Sequence, residues 1–354
     1  MNNQITQLRE ALVKNELDAL IVTNAYNRRY LSRFTGTAGL LLITQTEQLF
    51  ITDFRYTEQA QKQAVGFDII EHKESIIKEL ANQIEQRDLK RVGFEQHDLT
   101  YLTYTLYKKT IEAELVPTSN IVEEIRMIKT DQELSILEEA ADISDKAYDH
   151  ILNVVEPGMR EIDVAIELEF FMRKNGATSS SFDMIVASGE RSALPHGVAS
   201  EKTIQKGELV TLDFGALYNG YCSDMTRTFA VGDISDQLRD IYDTVLEAHL
   251  RGLEGTKAGM TGKEADALTR DYINEKGYGE YFGHGTGHGL GIEVHEGPRL
   301  SPTSKTTLKE NMVVTVEPGI YIPNVGGCRI EDDIVITKEG NRSLNQAPKD
   351  LIIL

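Results

Sequence analysis

Five side chains able to bind metal ions are spread along the C-terminal half of the sequence. They are four carboxylates and one imidazole: Asp213, Asp224, His288, Glu317 and Glu331. Each lies in a stretch that predicts buried sheet, where like charges a few Å apart repel one another even at an effective dielectric constant of about 20. Two divalent cations would balance the four negative charges. The pattern therefore predicts a dinuclear metal centre and, with it, a metal-dependent hydrolase.

The first two carboxylates flank a strong hairpin signal. Two strand-like segments are separated by Asn219–Gly220, a pair typical of a two-residue turn. Such a turn places Asp213 opposite Thr226 and makes Asp224 the diagonal neighbour of Asp213 on the same face of the hairpin. Aspartate is disfavoured in strands, so two on one face indicate a site. Ordinary exposed strand acids are the alternative.

Three of the eight histidines fall within a glycine-rich stretch of twelve residues, at His284, His288 and His295. Glycine at every second position from Gly283 to Gly291 allows close approach of other backbone, and an extended chain puts His284 and His288 on one side. The spacing matches neither phosphate-binding glycine motif, and HExxH is absent. A metal or substrate site is favoured; a structural role for the histidines is the alternative.

Glu317 follows an apolar, β-branched segment and precedes Pro318–Gly319. A carboxylate at the end of a buried strand is costly unless it is paired or bound to a metal. The sequence therefore predicts that Glu317 closes a strand before a turn and points into the site.

Cys328 to Thr337 predicts one continuous strand. With a period of two, Arg329, Glu331 and Asp333 share one face and Asp332 points the other way. Glu331 is then the inward acid, with Arg329 beside it. An ion pair between these two residues, without a metal, is the alternative.

The elements that must position these groups fall into two domains, residues 1–125 and 126–354. Helix and strand signals alternate in the first, which predicts an α/β sheet covered by helices. The second begins with a capping box at Thr130 and Glu133, and a further box is expected at Thr261 and Glu264. Its long helices and intervening strands predict an α+β domain with a mainly antiparallel sheet.

The formal charge of −19 argues against a nucleic-acid partner, which needs a basic face. The polar N-terminus and the lack of a long apolar run predict no membrane partner and make the cytoplasm the expected location. Cys222 and Cys328 form no disulfide framework and are expected to be small buried residues in strands.

Taken together, the contexts of the five ligands resemble the Xaa-Pro peptidase family, the aminopeptidase P and prolidase branch of the pita-bread metallopeptidases. These contexts are LDFGA, SDMTRT, GHGTGHGLGIEVHE, EPGIY and RIEDD. The resemblance runs from about Lys129 to the end, and the part before it, including TDFRY at 52–56, is similar to the creatinase/prolidase N-terminal domain. It implies a creatinase-like α/β domain followed by a pita-bread catalytic domain.

The resemblance also implies a role for each ligand. Asp213 would chelate one ion, Asp224 and Glu331 would bridge both, and His288 and Glu317 would complete the shell of the second. Manganese is the metal typical of this branch, with cobalt or zinc as substitutes, and an oxygen-rich shell suits manganese.

Around the metals, the resemblance assigns further residues to catalysis or substrate binding. His196, His284 and His295 match histidines near the substrate, Arg329 matches an arginine that supports the ligands or contacts substrate, and Tyr321 matches a nearby tyrosine. The expected reaction is hydrolysis of the Xaa-Pro bond at the N-terminus of a dipeptide or short peptide.

In that reaction, two ions sharing a water would lower its pKa and supply a hydroxide near neutral pH. His295 is expected to stabilise the oxyanion that develops, and Glu317 to carry a proton to the departing proline nitrogen.

Several alternatives stay open from the sequence. A dipeptidase must read the carboxylate of proline, for which Arg329 is a candidate, whereas an aminopeptidase P must admit longer chains. Aminopeptidases of other N-terminal specificity share the five ligands but usually lack the first domain, creatine amidinohydrolases do without metal, and non-catalytic binding relatives have lost ligands. Members of the family are commonly dimers or larger, so a homodimer is expected.

Overall fold

The computed structural model describes residues 3–354, and the chain divides into two compact units that meet in sequence between Arg126 and Met127. The elements of the first unit are α1 (Asn3–Lys14), β1 (Ala19–Val22), α2 (Ala25–Ser32), β2 (Leu40–Thr44), β3 (Gln48–Thr52), α3 (Thr57–Gln63), β4 (Asp68–Glu71), α4 (Ile76–Gln86), β5 (Arg91–Glu95), α5 (Tyr101–Thr110), β6 (Glu114–Thr118) and α6 (Ile121–Met127), which ends at the boundary.

A six-stranded sheet in the order β4-β3-β2-β1-β5-β6 forms the centre of the first unit. β1 and β3 each pair antiparallel with β2, and the remaining three pairs are parallel. β1 and β2 are apolar along almost their whole length and every residue in them is buried, because helices such as α4 cover the sheet. The expected α/β architecture is confirmed.

The second unit contains α7 (Asp131–Ile151), α8 (Glu161–Lys174), β7 (Ser179–Ser180), β8 (Ile185–Ser188), β9 (Glu208–Phe214), β10 (Ala216–Tyr218), β11 (Tyr221–Cys222), β12 (Met225–Val231), α9 (Asp236–Gly255), α10 (Gly262–Glu275), β13 (Gly287–Gly289), β14 (Glu296–Leu300), β15 (Val313–Val316), β16 (Gly319–Ile322), β17 (Gly326–Arg329), β18 (Asp332–Ile336) and β19 (Asn341–Ser343).

Every pairing between these strands is antiparallel, which confirms the expected α+β class. The sheets that matter for the site are β12-β9-β8, β14-β13-β15-β18-β19 and the ribbon β16-β17. Buried apolar side chains from α7, α8, β9 and β12 pack together on one side, and others from α9, β16 and β17 pack on another. The strand ends between these cores carry the polar groups described below.

Both predicted capping boxes are present. Thr130 and Glu133 cap α7, and Thr261 and Glu264 cap α10, with each side chain bonded to the other residue's backbone N–H. These caps satisfy orphan amide groups of the first turn and so define where each helix begins. Among the described residues, no helix combines the length and the apolar character needed to cross a membrane.

The predicted single strand from Cys328 to Thr337 is wrong. The segment forms two strands in different sheets, β17 paired with β16 and β18 paired with β15. Between them Glu331 leaves both ladders, and its N–H donates to the carbonyl of Thr226 at 3.0 Å. The turn expected after Glu317 is likewise replaced by strand, since β16 begins at Gly319.

Candidate metal centre

The hairpin around Asn219–Gly220 has the register that the sequence predicts. Tyr218 pairs with Tyr221, and Asp213 pairs with Thr226. The pairs β9–β12 and β10–β11 keep the same register although the strands are interrupted between them. Asp213 and Asp224 therefore lie on the same side, and both line one cavity. The expected placement of these two carboxylates on one face is confirmed.

The glycine alternation lets β13 run against other backbone on both sides. A Cβ on Gly287 would lie 2.0 Å from the carbonyl oxygen of Thr315, and one on Gly289 would lie 1.9 Å from that of Gly297. Neither separation is compatible with a side chain, so glycine is required at both positions. His288 is therefore held between β14 and β15 with little freedom to shift.

All five predicted ligands line one cavity of 530 Å³ in the second unit. Asp224, His288 and Glu331 are buried, and one potential ligand atom from each lies within 4.8 Å of the other two. Nε2 of His288 is also 3.3 Å from Oε1 of Glu317. The residues that converge come from β9, the position just before β12, β13, the position just after β15 and the β17–β18 break.

The protonation state of His288 follows from its surroundings. Nδ1 faces the carbonyl oxygen of Gly289 at 3.1 Å, so this nitrogen carries the hydrogen and donates it. Burial, with His295 beside it, lowers the pKa of His288 to about 3 and keeps the ring neutral. Nε2 therefore presents its lone pair toward Asp224 and Glu317, which is the form in which histidine binds metal.

The buried carboxylates are unfavourable without cations. Burial and repulsion by neighbouring carboxylates raise the pKa of Asp224 and of Glu331 well above the ordinary range, and burial raises the pKa of Glu317 to about 7. Among the described residues, Oδ1 of Asp213 is buried and has no hydrogen-bond partner. Orphaned and mutually repelling oxygens of this kind fit a site for divalent cations.

Arg329 partly compensates this charge. Its guanidinium forms its ion pair with Asp213 and not with Glu331, to which it is connected through Thr226. Nε of Arg329 donates to Oγ1 of Thr226 at 3.0 Å, and that hydroxyl donates to Oε2 of Glu331 at 2.6 Å. Thr226 therefore links Arg329 to the predicted ligand Glu331.

We expect Thr226→Val to weaken Mn²⁺ binding by about 10- to 100-fold, because Glu331 loses the hydrogen bond that orients its carboxylate. Thr226→Ser keeps the hydroxyl and is expected to bind as the wild type does. Calorimetric titration of metal-free protein measures both affinities. Equal affinities for the valine and serine variants would show that this bond does not support the site.

His284 reaches the cavity with both ring nitrogens already engaged. Nδ1 donates to the carbonyl of Gly285 at 2.8 Å, and Nε2 accepts from the hydroxyl of Tyr321 at 2.8 Å. That hydroxyl accepts in turn from Nη1 of Arg329 at 2.7 Å. Tyr321 lies behind His284 and not among the residues that line the cavity, so its contact with substrate stays a prediction.

His196 and His295 also line the cavity. The ring of His295 lies edge-on to that of His288, with centroids 4.4 Å apart. Burial and the nearby Arg299 lower the pKa of His295, which favours the neutral ring with one N–H. Nine of the ten predicted site residues therefore surround one cavity; their individual roles stay predictions.

The sequence reasoning missed several residues at this site. The cavity is also lined by Phe182, Asp183, Ile185, Pro195, Val198, Val294, Arg299 and Ser301. Behind it, Asp333 accepts a hydrogen bond from the N–H of Asp224 at 2.9 Å, and Arg227 donates to the carbonyl of Glu331 at 2.6 Å. A buried arginine in an apolar strand is the one signal that could have marked Arg227.

Four carboxylates and a neutral imidazole around one cavity, carried by an antiparallel α+β unit that follows an α/β unit, define a metal-dependent hydrolase. Residues 135–338 match the model of metallopeptidase family M24, and residues 4–128 match that of the creatinase/prolidase N-terminal domain. The chain belongs to metallopeptidase family M24.

Individual relatives are similar over almost their whole length. A solved Xaa-Pro dipeptidase from Bacillus anthracis is 60% identical, with 99% of both chains covered and a TM-score of 0.98. The Xaa-Pro dipeptidase of Pyrococcus horikoshii is 39% identical over 99% of each chain. A solved X-Pro aminopeptidase from Thermotoga maritima is 38% identical, with 98% of this chain and 99% of that chain covered and a TM-score of 0.91. Similarity thus extends to both kinds of Xaa-Pro peptidase.

Proposed function

We propose that this protein is an Xaa-Pro peptidase that hydrolyses the bond before proline at the N-terminus of dipeptides and short peptides. The observation that carries the proposal is the convergence of all five predicted ligands on one cavity, together with His196, His284 and His295. The named relatives support the substrate class. The reaction is placed in residues 126–354, and residues 1–125 form the creatinase-like domain.

We propose that Asp213, Asp224, His288, Glu317 and Glu331 hold two divalent ions, with manganese favoured because four of the five ligands are carboxylates. Cobalt or zinc are substitutes. When bound, the ions would supply an activated water and a polarised carbonyl. Family M24 supports divalent metal, and the repulsion among the buried carboxylates supports a charge of this size.

The side chains have the following parts in this proposal. Glu317 carries the proton to the departing proline nitrogen; its Oε2 is 3.7 Å from Nδ1 of His284, and its Oε1 accepts from Thr315 at 3.3 Å. His295 donates its N–H to the developing oxyanion. Arg329 holds Asp213 and Tyr321. The proline nitrogen in the peptide bond has no N–H to donate. Selectivity for proline is therefore expected to come from contact between its ring and the wall of the cavity that the histidines line.

We also propose a cytoplasmic homodimer. Both cysteines are free and buried, which suits a reducing compartment. We propose a dimer because members of the family that the sequence resembles are commonly dimers or larger.

The direct test compares matched peptides with metal-stripped protein reloaded with Mn²⁺. We expect cleavage of Ala-Pro and of Ala-Pro-Gly, and cleavage of Ala-Ala and Ala-Ala-Gly roughly 100-fold more slowly, because pocket shape alone discriminates by about 10- to 200-fold. The rate of cleavage of each of the four peptides is measured as the rate at which free alanine appears, determined by amino-acid analysis.

Cleavage of Ala-Pro alone would narrow the activity to a dipeptidase that reads the proline carboxylate. Cleavage of the alanine peptides alone, with two metals bound, would favour an aminopeptidase of other specificity. No cleavage of any peptide by the doubly loaded protein would remove the proposal.

A further inference from the structure

A second concavity adjoins the catalytic cavity on the surface of α8. It has a volume of 420 Å³ and lies between one face of α8 and the segments before β8 and after Gly197. Its apolar lining, called here the α8 groove, includes Ile162, Ile166, Phe170, Met184, Val198 and Ala199. The α8 residues recur every three or four positions and so form one stripe along the helix.

The α8 groove and the catalytic cavity share two residues. Asp183 and Val198 line both of them. The side chain of Val198 is 51% exposed, so the ridge between the two concavities is open to solvent. A peptide chain that leaves the catalytic cavity over Val198 therefore enters the α8 groove directly.

The lining of the α8 groove fits an apolar side chain. Ile166 is 60% exposed and Phe170 is 54% exposed, although both are large and apolar. Large apolar side chains that are exposed next to one another often mark a binding site. The groove also contains Glu169, Arg173 and Asp183, and Arg173 forms an ion pair with Glu169 at 2.5 Å. The groove therefore offers a peptide apolar contact and no excess of positive charge.

We propose that the α8 groove binds the residue that follows proline in tripeptide and longer substrates, and that it selects an apolar side chain there. The inference rests on the proposed Xaa-Pro peptidase function and deepens it. The residue after proline is the next one along a substrate chain, and Val198 and Asp183 make the groove continuous with the cavity that holds the proline. A dipeptide has no such residue and makes no use of the groove.

The experiment measures kcat/KM of the Mn²⁺-loaded protein for Ala-Pro, Ala-Pro-Gly and Ala-Pro-Leu. We expect the leucine tripeptide to be preferred over the glycine tripeptide by about tenfold, the size expected for burying much of a leucine side chain. In Phe170→Ser/Ile166→Ser this ratio is expected to fall to about one, with kcat/KM for Ala-Pro unchanged. Phe170→Leu keeps an apolar side chain and is expected to retain the preference.

A matched control is Leu250→Ser, which removes a large exposed apolar side chain from α9, outside the groove. It should leave all three values unchanged. The oligomeric state of each variant is measured by sedimentation, since a second copy of the chain could also cover an exposed apolar face.

Equal rates for the leucine and glycine tripeptides in the wild type would overturn the groove proposal. So would cleavage of Ala-Pro with no cleavage of either tripeptide, and that result would leave the Xaa-Pro dipeptidase function standing. A double variant that changes oligomeric state while keeping the leucine preference would assign the groove to a subunit contact instead. Failure to cleave even Ala-Pro would overturn both proposals together.

Discussion

Asp224→Asn is expected to lower kcat by more than about 10³-fold in protein supplied with Mn²⁺. The substitution keeps the shape of the side chain but removes one of the carboxylates that would hold the two ions, whose chemistry would supply the activated water. Glu331→Gln is expected to have the same effect. Turnover of Ala-Pro and metal content by elemental analysis are measured on the same samples, and the content should fall below two ions per chain.

The same variant is expected to be at least as stable as the wild type when both are free of metal. Asp224 is buried among carboxylates that raise its pKa. A carboxyl whose folded-state pKa lies above its unfolded value opposes folding at neutral pH, because the unfolded chain releases its proton more readily. Asparagine removes that penalty. Adding Mn²⁺ should then raise the melting temperature of the wild type by more than that of the variant.

The matched control is Asp233→Asn, which changes an exposed aspartate just beyond the other end of β12. It should alter neither turnover nor metal content. Near-native turnover of Asp224→Asn with two ions still bound would remove Asp224 from the ligand set. A metal-free variant that melts well below the metal-free wild type would show instead that the carboxylate stabilises the fold.

Arg227→Met is expected to lower the free energy of unfolding by about 3–5 kcal/mol, the range for breaking a buried ion pair by removing one partner. Arg227 is fully buried in β12, and all five of its N–H groups are bonded. They reach the carbonyl oxygens of Thr226, Glu331, Ala347 and Pro348 and the carboxylate of Asp332. Methionine fills similar space but has no N–H to donate, so each of these acceptors loses its hydrogen bond from the arginine.

Arg227 offsets the cost of burying the charged carboxylate of Asp332. Burial alone would raise the pKa of Asp332, yet Arg227 and the neighbouring His249 hold it well below its usual range. Without the guanidinium, the buried carboxylate keeps only His249 at 3.5 Å, Lys349 at 2.9 Å and the hydroxyl of Ser343 at 3.2 Å. Calorimetry on metal-free protein measures the loss, which corresponds to a fall of roughly 10 °C in melting temperature for a unit of this size.

Arg239→Met is the control, since Arg239 is exposed on α9 and should tolerate the change. The double variant Arg227→Met/Asp332→Asn should lose less stability than the two single variants together, because each removes the charge that the other leaves unpaired. A loss below about 1 kcal/mol for Arg227→Met alone would mean that water or a local rearrangement replaces its hydrogen bonds.

The parts of the site that depend on neighbours in sequence were predictable. A two-residue turn sets the pairing of every residue on both sides of it, so Asn219–Gly220 was enough to place Asp213 and Asp224 on one face. The alternating glycines predicted the close backbone approach found at Gly287 and Gly289. The two capping boxes were predictable for the same reason, since donor and acceptor are only three residues apart.

The break between β17 and β18 was not predictable in this way. Every residue from Cys328 to Ile336 is buried, and no glycine or proline within this segment marks the break. At the break the chain leaves the two-stranded ribbon with β16 and joins the five-stranded sheet beside β15. That change turns Glu331 toward Thr226 and leaves Arg329 to pair with Asp213.

The sequence by itself determined which residues can bind metal, the parity that brings two of them together, and the family that they resemble. The tertiary structure alone decided which contacts hold the predicted ligands. Thr226 bonds Glu331, Asp333 bonds the backbone of Asp224, and Arg227 connects β12 to residues 347–348. These contacts join residues 105 to 121 positions apart. Such contacts depend on which surfaces the folded sheets bring together, and a local sequence pattern contains no record of that choice.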